Sequence, residues 1–288
     1  MTTTAALTAW AWPGVTRRRS LLVEADPAGG TALRDLYGAT VGVDAGTGLL
    51  AAALAARHGM TPQQLAGYAV RLDEPGQRLL LAGLGDPLQG QALHAVWPGL
   101  ADAMHALGVA DPATDVLADC GRLGAYGPPA PLLASADVLL LVVRPRAADL
   151  AAAQTRIAAL RAMAPPPPAG PDLAVVLTGP GRHRPGEVSE HLGLPVVGQI
   201  PYDTRLDPAG KDTGLAVLAR RGHDRSVLGL AAYALARGIR TRLAARVRQT
   251  AAASDQPPSP PSSSALVEAV LRAQRAGTLP SPSGPRPA

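Results

Sequence analysis

The fold class follows from one segment, which reads Leu21-Leu22-Val23-Glu24-Ala25-Asp26-Pro27-Ala28-Gly29-Gly30. Its apolar residues are typical of a buried strand, which ends in two acidic residues, Glu24 and Asp26, followed by a proline and paired glycines. Ligands of an open parallel sheet bind beyond the carboxyl ends of its strands, and glycine lets a backbone approach a phosphate closely. The segment predicts that Asp26 faces a phosphate-binding site. The alternative is that Asp26 caps the next helix after an ordinary Pro-Gly turn.

A second apolar run also ends in an acidic residue. It reads Asp115-Val116-Leu117-Ala118-Asp119 and continues with Cys120 and Gly121. This is the Walker-B layout, in which the carboxylate holds the water shell of Mg²⁺ and the glycine lets the next loop respond to a γ-phosphate. Asp119 could instead be a helix-capping residue. Two such strand ends in one sheet favour the phosphate site.

The wider pattern predicts an α/β fold with a mostly parallel sheet flanked by helices, because short apolar runs alternate with longer Ala-rich segments. The predicted strands are Ser20–Ala25, Arg78–Ala82, Asp115–Asp119, Val138–Val143, Leu173–Leu177 and Val196–Ile200. The predicted helices are Thr3–Ala11, Gly48–Arg57, Gly90–Leu107, Ala147–Met163, Glu187–Leu192 and Leu228–Arg248.

Composition changes near the end of the chain. We predict a nucleotide-binding domain over residues 1–250 and a tail over 251–288, because Ser254–Ser264 is rich in proline and serine. The tail contains one short amphipathic segment, 265–275. The formal net charge of +5 over 288 residues permits contact with nucleic acid or anionic lipid but does not require it.

Several classes of protein are disfavoured by the sequence. Cys120 is the only cysteine, so a disulfide framework or a thiolate metal cluster is excluded. No G-x-G-x-x-G follows a predicted strand, which makes a Rossmann dehydrogenase a distant alternative. The basic residues Arg17–Arg19 follow the apolar start, whereas a signal peptide carries its positive charge first. These features predict a cytoplasmic protein, and Arg17–Arg19 is expected to be a solvated loop.

Taken together, these segments resemble the MinD/ParA family of deviant-Walker P-loop ATPases. The family's D-x-D-P motif is matched by Glu24-Ala25-Asp26-Pro27, and its Walker-B motif by Asp119-Cys120-Gly121. A later strand followed by Arg-Pro resembles Val142-Val143-Arg144-Pro145. The segment Leu192–Asp203 is similar to the family's "lglpvlG.IPyD" sequence. The resemblance covers about residues 2 to 245 and implies the P-loop NTPase fold.

The resemblance also exposes a departure at the start of the chain. Family members open with a buried strand, a Gly-rich loop that cradles phosphates, and a lysine. Here Met1 falls where that lysine belongs, so the first strand and most of the P-loop are missing. Because that strand is ordinarily central, its loss is expected to expose apolar edges on both neighbours. We expect that the assigned start of the chain is too late.

The resemblance implies roles for individual residues. Asp26 would position or activate the attacking water, and Mg²⁺ would be held by the Thr2 hydroxyl and, through water, by Asp119. The residues expected to contact ATP are Thr2, Thr3, Pro201 and Asp203. Thr178-Gly179-Pro180 stands where relatives carry an adenine-reading Asn, so specificity for the base is an open question.

Two functions follow, and the sequence leaves both open. The first is a positioning or partitioning switch for a chromosome region, a division site, or a secretion or pilus machine. Such a switch cycles with ATP between monomer and homodimer, recruits a protein cargo or adaptor, and hydrolyses ATP if the complete P-loop is present. The second is a pseudo-ATPase scaffold with the same fold. The Arg-rich helix 228–248 could bind DNA or an anionic membrane, or could simply pack on the sheet with a solvated basic face.

Overall fold

The computed structural model describes residues 2–29, 33, 46–123, 129–163, 170–202 and 226–254. The predicted nucleotide contact Asp203 and the predicted amphipathic segment 265–275 lie outside these ranges. The chain divides into two compact units, Met1–Val247 and Arg248–Ala288. Of the second unit, the structure describes residues 248–254, which are helical.

Helices and strands alternate along most of the described chain. The helices are α1 (Thr2–Thr16), α2 (Gly48–Ala56), α3 (Pro62–Gly67), α4 (Pro87–Ala92), α5 (Trp97–Ala106), α6 (Ala130–Ala134), α7 (Ala147–Met163), α8 (Pro185–Leu192) and α9 (Val227–Ser254). The strands are β1 (Arg19–Glu24), β2 (Val70–Arg71), β3 (Arg78–Leu81), β4 (Thr114–Asp119), β5 (Val138–Val143), β6 (Asp172–Thr178) and β7 (Val196–Ile200).

The strands form two hydrogen-bonded sheets. The first has the order β2-β3-β1-β4, in which β1 is parallel to both β3 and β4, and the short edge strand β2 is antiparallel to β3. The second has the order β5-β6-β7 and is parallel throughout. The predicted fold class, a mostly parallel sheet flanked by helices, is confirmed.

The division of the strands into two sheets falls between β4 and β5. In the described part of the chain, β4 is hydrogen-bonded to β1 alone and β5 to β6 alone. Both strands contact one apolar cluster, called here the α1/α9 cluster. Its buried members are Leu7, Ala11, Trp12, Val15, Val176, Ile200, Leu228, Ala232, Leu235, Ala236 and Ile239. Leu117 of β4 packs against this cluster, as do Leu140 and Val142 of β5.

Helix α1 is longer than predicted. The predicted helix ends at Ala11, whereas α1 continues to Thr16 even though Pro13 removes an N–H from the helix. The Ala9 carbonyl, which would bond to the N–H of residue 13, accepts a hydrogen bond of 2.9 Å from the Ser20 hydroxyl. The strand that follows the helix thus satisfies the acceptor that the proline leaves open.

The predicted helix Gly90–Leu107 is wrong in one respect, because the structure contains two helices there, α4 and α5. Pro98 lies in the first turn of α5. A proline has no N–H for the carbonyl four residues earlier, and its ring clashes with that carbonyl. The chain therefore turns between residues 93 and 96 before α5 begins.

The prediction of a solvated loop at Arg17–Arg19 holds for Arg17, which is exposed in a bend, and is wrong for Arg18 and Arg19. Arg18 forms an ion pair of 2.8 Å with Asp115, and the Arg18 guanidinium also donates to the Gly108 carbonyl. Trp12 donates to the same Asp115 carboxylate through Nε1, at 2.8 Å. Arg19 is the first residue of β1. This segment therefore attaches the end of α1 to the amino end of β4.

Candidate functional site

The two acidic strand ends predicted from the sequence lie side by side. Strands β1 and β4 are parallel neighbours, and their register pairs Glu24 with Asp119. The Ala25 N–H continues the ladder by donating to the Asp119 carbonyl at 2.8 Å. Asp26 and Asp119 therefore both stand at the carboxyl edge of the first sheet, where an open α/β sheet binds its ligands.

Asp26 is half-buried and packs directly on a glycine. Its Oδ1 accepts a hydrogen bond of 2.9 Å from the Ala28 N–H. A Cβ atom on Gly121 would overlap the Asp26 carboxylate, and Gly121 has φ +68°, in the left-handed region. Burial raises the pKa of Asp26 above its ordinary value, and the Asp119 charge adds to this, while the Ala28 hydrogen bond and Arg122 act in the opposite direction.

Asp119 is the more enclosed of the two carboxylates, with 7% of the residue exposed. Its Oδ1 accepts a hydrogen bond of 3.1 Å from the Gly121 N–H. The adjacent Cys120 packs against apolar neighbours, and burial, with the nearby charges of Asp119 and Asp26, raises its pKa to about 12. The thiol is therefore protonated at neutral pH. This favours a small packing residue over a redox-active thiolate.

Glu24 has a role that the sequence did not reveal. Its side chain is buried and accepts two main-chain hydrogen bonds, one from Leu33 N–H at 3.0 Å and one from Gly83 N–H at 2.9 Å. A Cβ on Gly83 would lie 2.7 Å from Glu24 Cβ, so this approach requires glycine. Glu24 thus joins the segments that follow β1 and β3. The only signal in the sequence is an acidic residue inside an apolar strand.

The predicted Mg²⁺ ligand Thr2 and the predicted nucleotide contact Thr3 begin α1, and both are half-buried. The carboxyl-terminal half of α1 contacts the amino ends of the strands. Trp12 bonds to Asp115 of β4, and the Trp10 carbonyl accepts from Arg78 of β3. A 15-residue helix is about 22 Å long. The amino end of α1 therefore points towards the edge that carries Asp26 and Asp119.

The remaining predicted contact, Pro201, immediately follows β7 and is half-buried. The loops after β5 and β6 are held together by main-chain contacts, because the Pro145 carbonyl accepts from Arg182 N–H at 3.1 Å. Arg146 Nε also donates to the Pro180 carbonyl at 3.2 Å. The Arg-Pro motif and the Thr178-Gly179-Pro180 segment thus meet at the carboxyl ends of the second sheet.

The carboxyl edge of the first sheet offers some of the ligands that a hydrated divalent cation requires. Asp26 and Asp119 supply hard oxygen ligands, and a cation beside them would relieve the repulsion that helps to raise the Asp26 pKa. In the described ranges no group of three or more His, Cys, Asp or Glu side chains forms a metal site. The chain's only lysine, Lys211, lies outside those ranges. Two carboxylates that could hold a hydrated cation therefore lie at this edge, whereas a lysine that could contact phosphates is not among the described residues.

The predicted basic surface on α9 is partly used within the fold. Arg242 binds Asp172 of β6 through two hydrogen bonds of 2.7 and 2.6 Å. Arg246 lies 3.6 Å from Asp137 and also donates to the Gly170 carbonyl. Arg240 donates to the Val15 carbonyl of α1 at 2.7 Å. These arginines attach α9 to its neighbours. Arg237 and Arg240 are both exposed, and of the two only Arg240 has a side-chain partner among the described residues.

None of the described helices has the length and apolar character that crossing a membrane requires.

Comparison with known proteins identifies the fold. No protein-family model and no curated protein matches the chain. Several solved structures do. The septum site-determining protein MinD of Pyrococcus horikoshii OT3, complexed with Mg-ADP, shares 19% identity at a TM-score of 0.62, covering 85% of this chain and 92% of that one.

Two further structures agree with this result. The ParA family ATPase of Chlorobium tepidum TLS shares 15% identity at a TM-score of 0.60, covering 82% and 92% of the two chains. The MinC:MinD cell division protein complex of Aquifex aeolicus shares 16% identity at a TM-score of 0.57, covering 83% and 90%. At these identities the likeness establishes the architecture.

Proposed function

From a fold that it shares with MinD and ParA ATPases, we propose that this protein is an ATP-dependent positioning switch. In this proposal Mg²⁺-ATP binds at the carboxyl edge that carries Asp26 and Asp119, and nucleotide turnover controls assembly. The process served would be chromosome partitioning, division-site placement, or the placement of a secretion or pilus machine.

The observation that carries this proposal is that Asp26 and Asp119 lie near each other at the carboxyl ends of β1 and β4. An aspartate that only caps a helix gains nothing from a second carboxylate beside it, because each negative charge makes ionisation of the other carboxyl group less favourable. Here the Asp119 charge contributes to the raised pKa of Asp26. A site that binds Mg²⁺ gains from such a pair. The glycine at 121, which leaves room for the Asp26 carboxylate, fits the same purpose.

The roles proposed for the residues follow their positions. Asp119, held by the Gly121 N–H, would bind Mg²⁺ through water, and the Thr2 hydroxyl at the start of α1 would bind it directly. Asp26 would orient the attacking water. Thr3, Pro201 and Asp203 would contact the nucleotide. The bound ion would neutralise charge on the phosphates during transfer.

In the proposed switch, the bound nucleotide controls the assembly of the protein with itself and with a partner. The Aquifex aeolicus relative was solved as a complex of MinC with MinD. By analogy we propose that ATP drives homodimer formation and that the dimer recruits a protein cargo or adaptor. A DNA or anionic-membrane surface on the part of α9 before Val247 would have to rely on Arg237, because Arg240, Arg242 and Arg246 have partners within the fold.

A second candidate function is a pseudo-ATPase scaffold. The observation that favours it is the absence of a lysine from the described residues. A P-loop without its lysine loses charge-assisted contacts to the phosphates. In this alternative the carboxylate pair remains only as a structural element, and recruitment does not depend on nucleotide.

Mg²⁺-ATP binding and turnover separate the two candidates. We would compare the 288-residue chain with an extended form, in which an apolar strand, a glycine-rich loop and a lysine directly precede Thr2. The switch predicts Mg²⁺-dependent binding and slow hydrolysis by the extended form. It also predicts ATP-dependent dimers in size-exclusion chromatography with light scattering.

Two substitutions in the extended form supply the controls. Asp26→Ala should nearly abolish turnover while leaving nucleotide binding largely intact. Asp119→Ala should weaken Mg²⁺-dependent binding, because it removes a carboxylate that orders the water around the ion. Unchanged turnover in both variants would mean that the two aspartates are structural. An extended form that folds but binds no ATP would favour the scaffold.

A further inference from the structure

Basic side chains cover the two loops that follow β5 and β6. The loop after β5 begins with Arg144-Pro145-Arg146, and the loop after β6 contains Arg182-His183-Arg184. These four arginines and one histidine are all exposed and are called here the β5/β6 basic cluster. No acidic residue occurs within 144–148 or 179–186. The carboxyl edge of the second sheet is therefore strongly positive in charge.

The two loops are fixed to each other through the main chain. The Pro145 carbonyl accepts hydrogen bonds from the N–H groups of Arg182 and His183, at 3.1 and 3.4 Å. A Cβ atom on Gly181 would lie 2.1 Å from the same carbonyl oxygen, so the loops approach more closely than a side chain at 181 allows. Arg146 of the first loop also donates to a carbonyl of the second, at 3.2 Å. The backbone that carries the cluster is thus held in place before a ligand binds, which lowers the entropic cost of binding.

Most of this positive charge is not neutralised within the described part of the chain. Arg144, Arg182 and Arg184 form no ion pair with a described carboxylate. Glu187 does contact the cluster, because it lies 3.6 Å from His183 and accepts from the Arg184 N–H at 3.0 Å. Helices α7 and α8 begin directly after the two basic loops, and the amino end of a helix adds partial positive charge. The cluster is therefore suited to an anionic ligand.

We propose that the β5/β6 basic cluster is a docking surface for an acidic segment of a protein partner. The guanidinium group binds a carboxylate through two parallel N–H donors. Acidic residues bound the surface, with Asp149 in the first turn of α7 and Glu187 and Glu190 on α8. A short run of carboxylates fits within these limits. A DNA duplex or a plane of anionic lipid would extend over the acidic residues and be repelled by them.

Two features of the sequence narrow the choice of occupant. Surfaces that bind single-stranded nucleic acid use aromatic side chains for stacking, and 144–163 and 178–193 contain no aromatic Phe, Tyr or Trp. The longest run of acidic residues in this chain is Asp73-Glu74, and Asp73 is paired with Arg78. A second copy of the chain therefore offers no acidic run, so the segment belongs to a different protein. None of the residues proposed to bind nucleotide is in the cluster, and the proposal does not depend on ATP.

Fluorescence anisotropy of a labelled hexaglutamate peptide, measured with the 288-residue chain and without nucleotide, tests the surface. Binding should weaken as salt is raised towards about 0.5 M, because salt screens exposed charges. The double variant Arg182→Glu, Arg184→Glu should bind the peptide about tenfold more weakly or worse. The matched control is Arg156→Glu, Arg161→Glu, which changes the net charge equally at exposed positions of α7 and should bind like the parent. If the charge reversal lowers the Tm, Arg182→Gln, Arg184→Gln takes its place.

A second pair of variants tests the fixed geometry while keeping every charge. Gly181→Ala places a Cβ atom against the Pro145 carbonyl and should force the two loops apart. It should weaken binding of hexaglutamate by about fivefold, because the arginines are then no longer held together. In the matched control, Gly186→Ala, an added Cβ meets nothing within 4 Å, and binding should be unchanged.

Four outcomes would overturn the proposal. The first is no binding of hexaglutamate at low salt, and the second is equal binding of a hexaglutamine peptide, which lacks the carboxylates. The third is an equal loss of affinity in the two double Glu variants, which would mean that only net charge matters. The fourth is tighter binding of a DNA duplex or of phosphatidylglycerol vesicles that is lost in Arg182→Glu, Arg184→Glu. That result would assign the cluster to nucleic acid or lipid. ATP binding by the extended form is measured separately, so either proposal can fail without the other.

Discussion

The Asp26 carboxylate lies against the main chain of Gly121, so closely that a Cβ at position 121 would overlap it. The two residues follow neighbouring strands and are also connected through Asp119, whose Oδ1 accepts from the Gly121 N–H. The end of β1 and the end of β4 are therefore one packed unit.

This contact predicts the effect of Gly121→Ala. An alanine at φ +68° costs about 1–2 kcal/mol of backbone strain. Overlap with Asp26 adds about 1–3 kcal/mol, as overpacking does elsewhere. The matched control is Gly59→Ala, because Gly59 has φ +89° but nothing within 4 Å of an added Cβ. Urea unfolding should place Gly121→Ala well below Gly59→Ala in stability. Equal losses would mean that Asp26 moves aside freely.

Asp26 should also make stability depend on pH. Its pKa in the folded state is raised from 3.8, chiefly by burial. The folded state therefore holds the Asp26 proton more tightly than the unfolded state does. Below pH 3.8 Asp26 is protonated in both states, and as pH rises through the folded pKa its ionisation costs stability.

We therefore expect Asp26→Asn to be more stable than the parent near neutral pH, with a gain that shrinks as pH falls towards 3.8. Differential scanning fluorimetry across this range measures the change in Tm. The control is Glu190→Gln, which removes an exposed carboxylate from α8. A gain that is independent of pH would mean that burial of the Asp26 charge has no energetic cost.

The sequence predicted the sheet strands well because their signal is local. The predicted bounds of β5, β7 and α7 are those of the structure, since continuous apolar runs and Ala-rich periodicity mark them. Edge strand β2 and helix α3 were not predicted. The two residues of β2 are too few to carry a pattern. Helix α3 is short, although Thr61 and Gln64 form a capping box at its start.

The candidate site was predicted in part, and this prediction depended on the topology of the sheet and not on a local sequence pattern. Asp26 and Asp119 were found because a parallel sheet brings the carboxyl ends of its strands to one edge. The two hydrogen bonds of the Glu24 carboxylate, called here the Glu24 clamp, were not predicted. Their donors are the main-chain N–H groups of Leu33 and Gly83, and a pattern of side chains does not reveal main-chain donors. Arg18 was taken for a solvated residue because its partner, Asp115, is 97 residues away in the sequence.

The Glu24 clamp predicts a large effect from a small change. Glu24→Gln keeps the shape of the side chain but replaces one acceptor oxygen with an N–H donor. One of the two amides, Leu33 or Gly83, then loses its partner, which costs about 1–3 kcal/mol for a buried group. Glu74→Gln, at an exposed position, should be neutral in the same urea unfolding experiment. Equal stability of both variants would show that the clamp is replaceable by water.

The arginines of α9 should divide into structural and exposed residues. Arg242 forms a two-point contact with Asp172 in which both side chains are about three-quarters buried (28% and 23% exposed). Arg242→Ala should therefore lower the free energy of unfolding by about 1–3 kcal/mol. Arg237→Ala, on the exposed side, should leave it unchanged. If α9 binds DNA or anionic vesicles, the affinity should fall with Arg237→Glu in a sedimentation assay at low salt, while stability does not.

The chain of 288 residues, without an added loop, should bind Mg²⁺-ATP weakly. The described residues offer carboxylates for Mg²⁺, but the lysine that would contact the phosphates is not among them. Each hydrogen bond to a charged group contributes about 1.5–3 kcal/mol, so three missing contacts remove roughly 4–9 kcal/mol. A micromolar site has a binding free energy of about −8 kcal/mol and could not survive that loss.

Isothermal titration should therefore detect no binding below about millimolar ATP. Tight, Mg²⁺-dependent binding would mean that another segment of this chain supplies the phosphate cradle, and the alignment of Thr2 with the end of the P-loop would then be wrong.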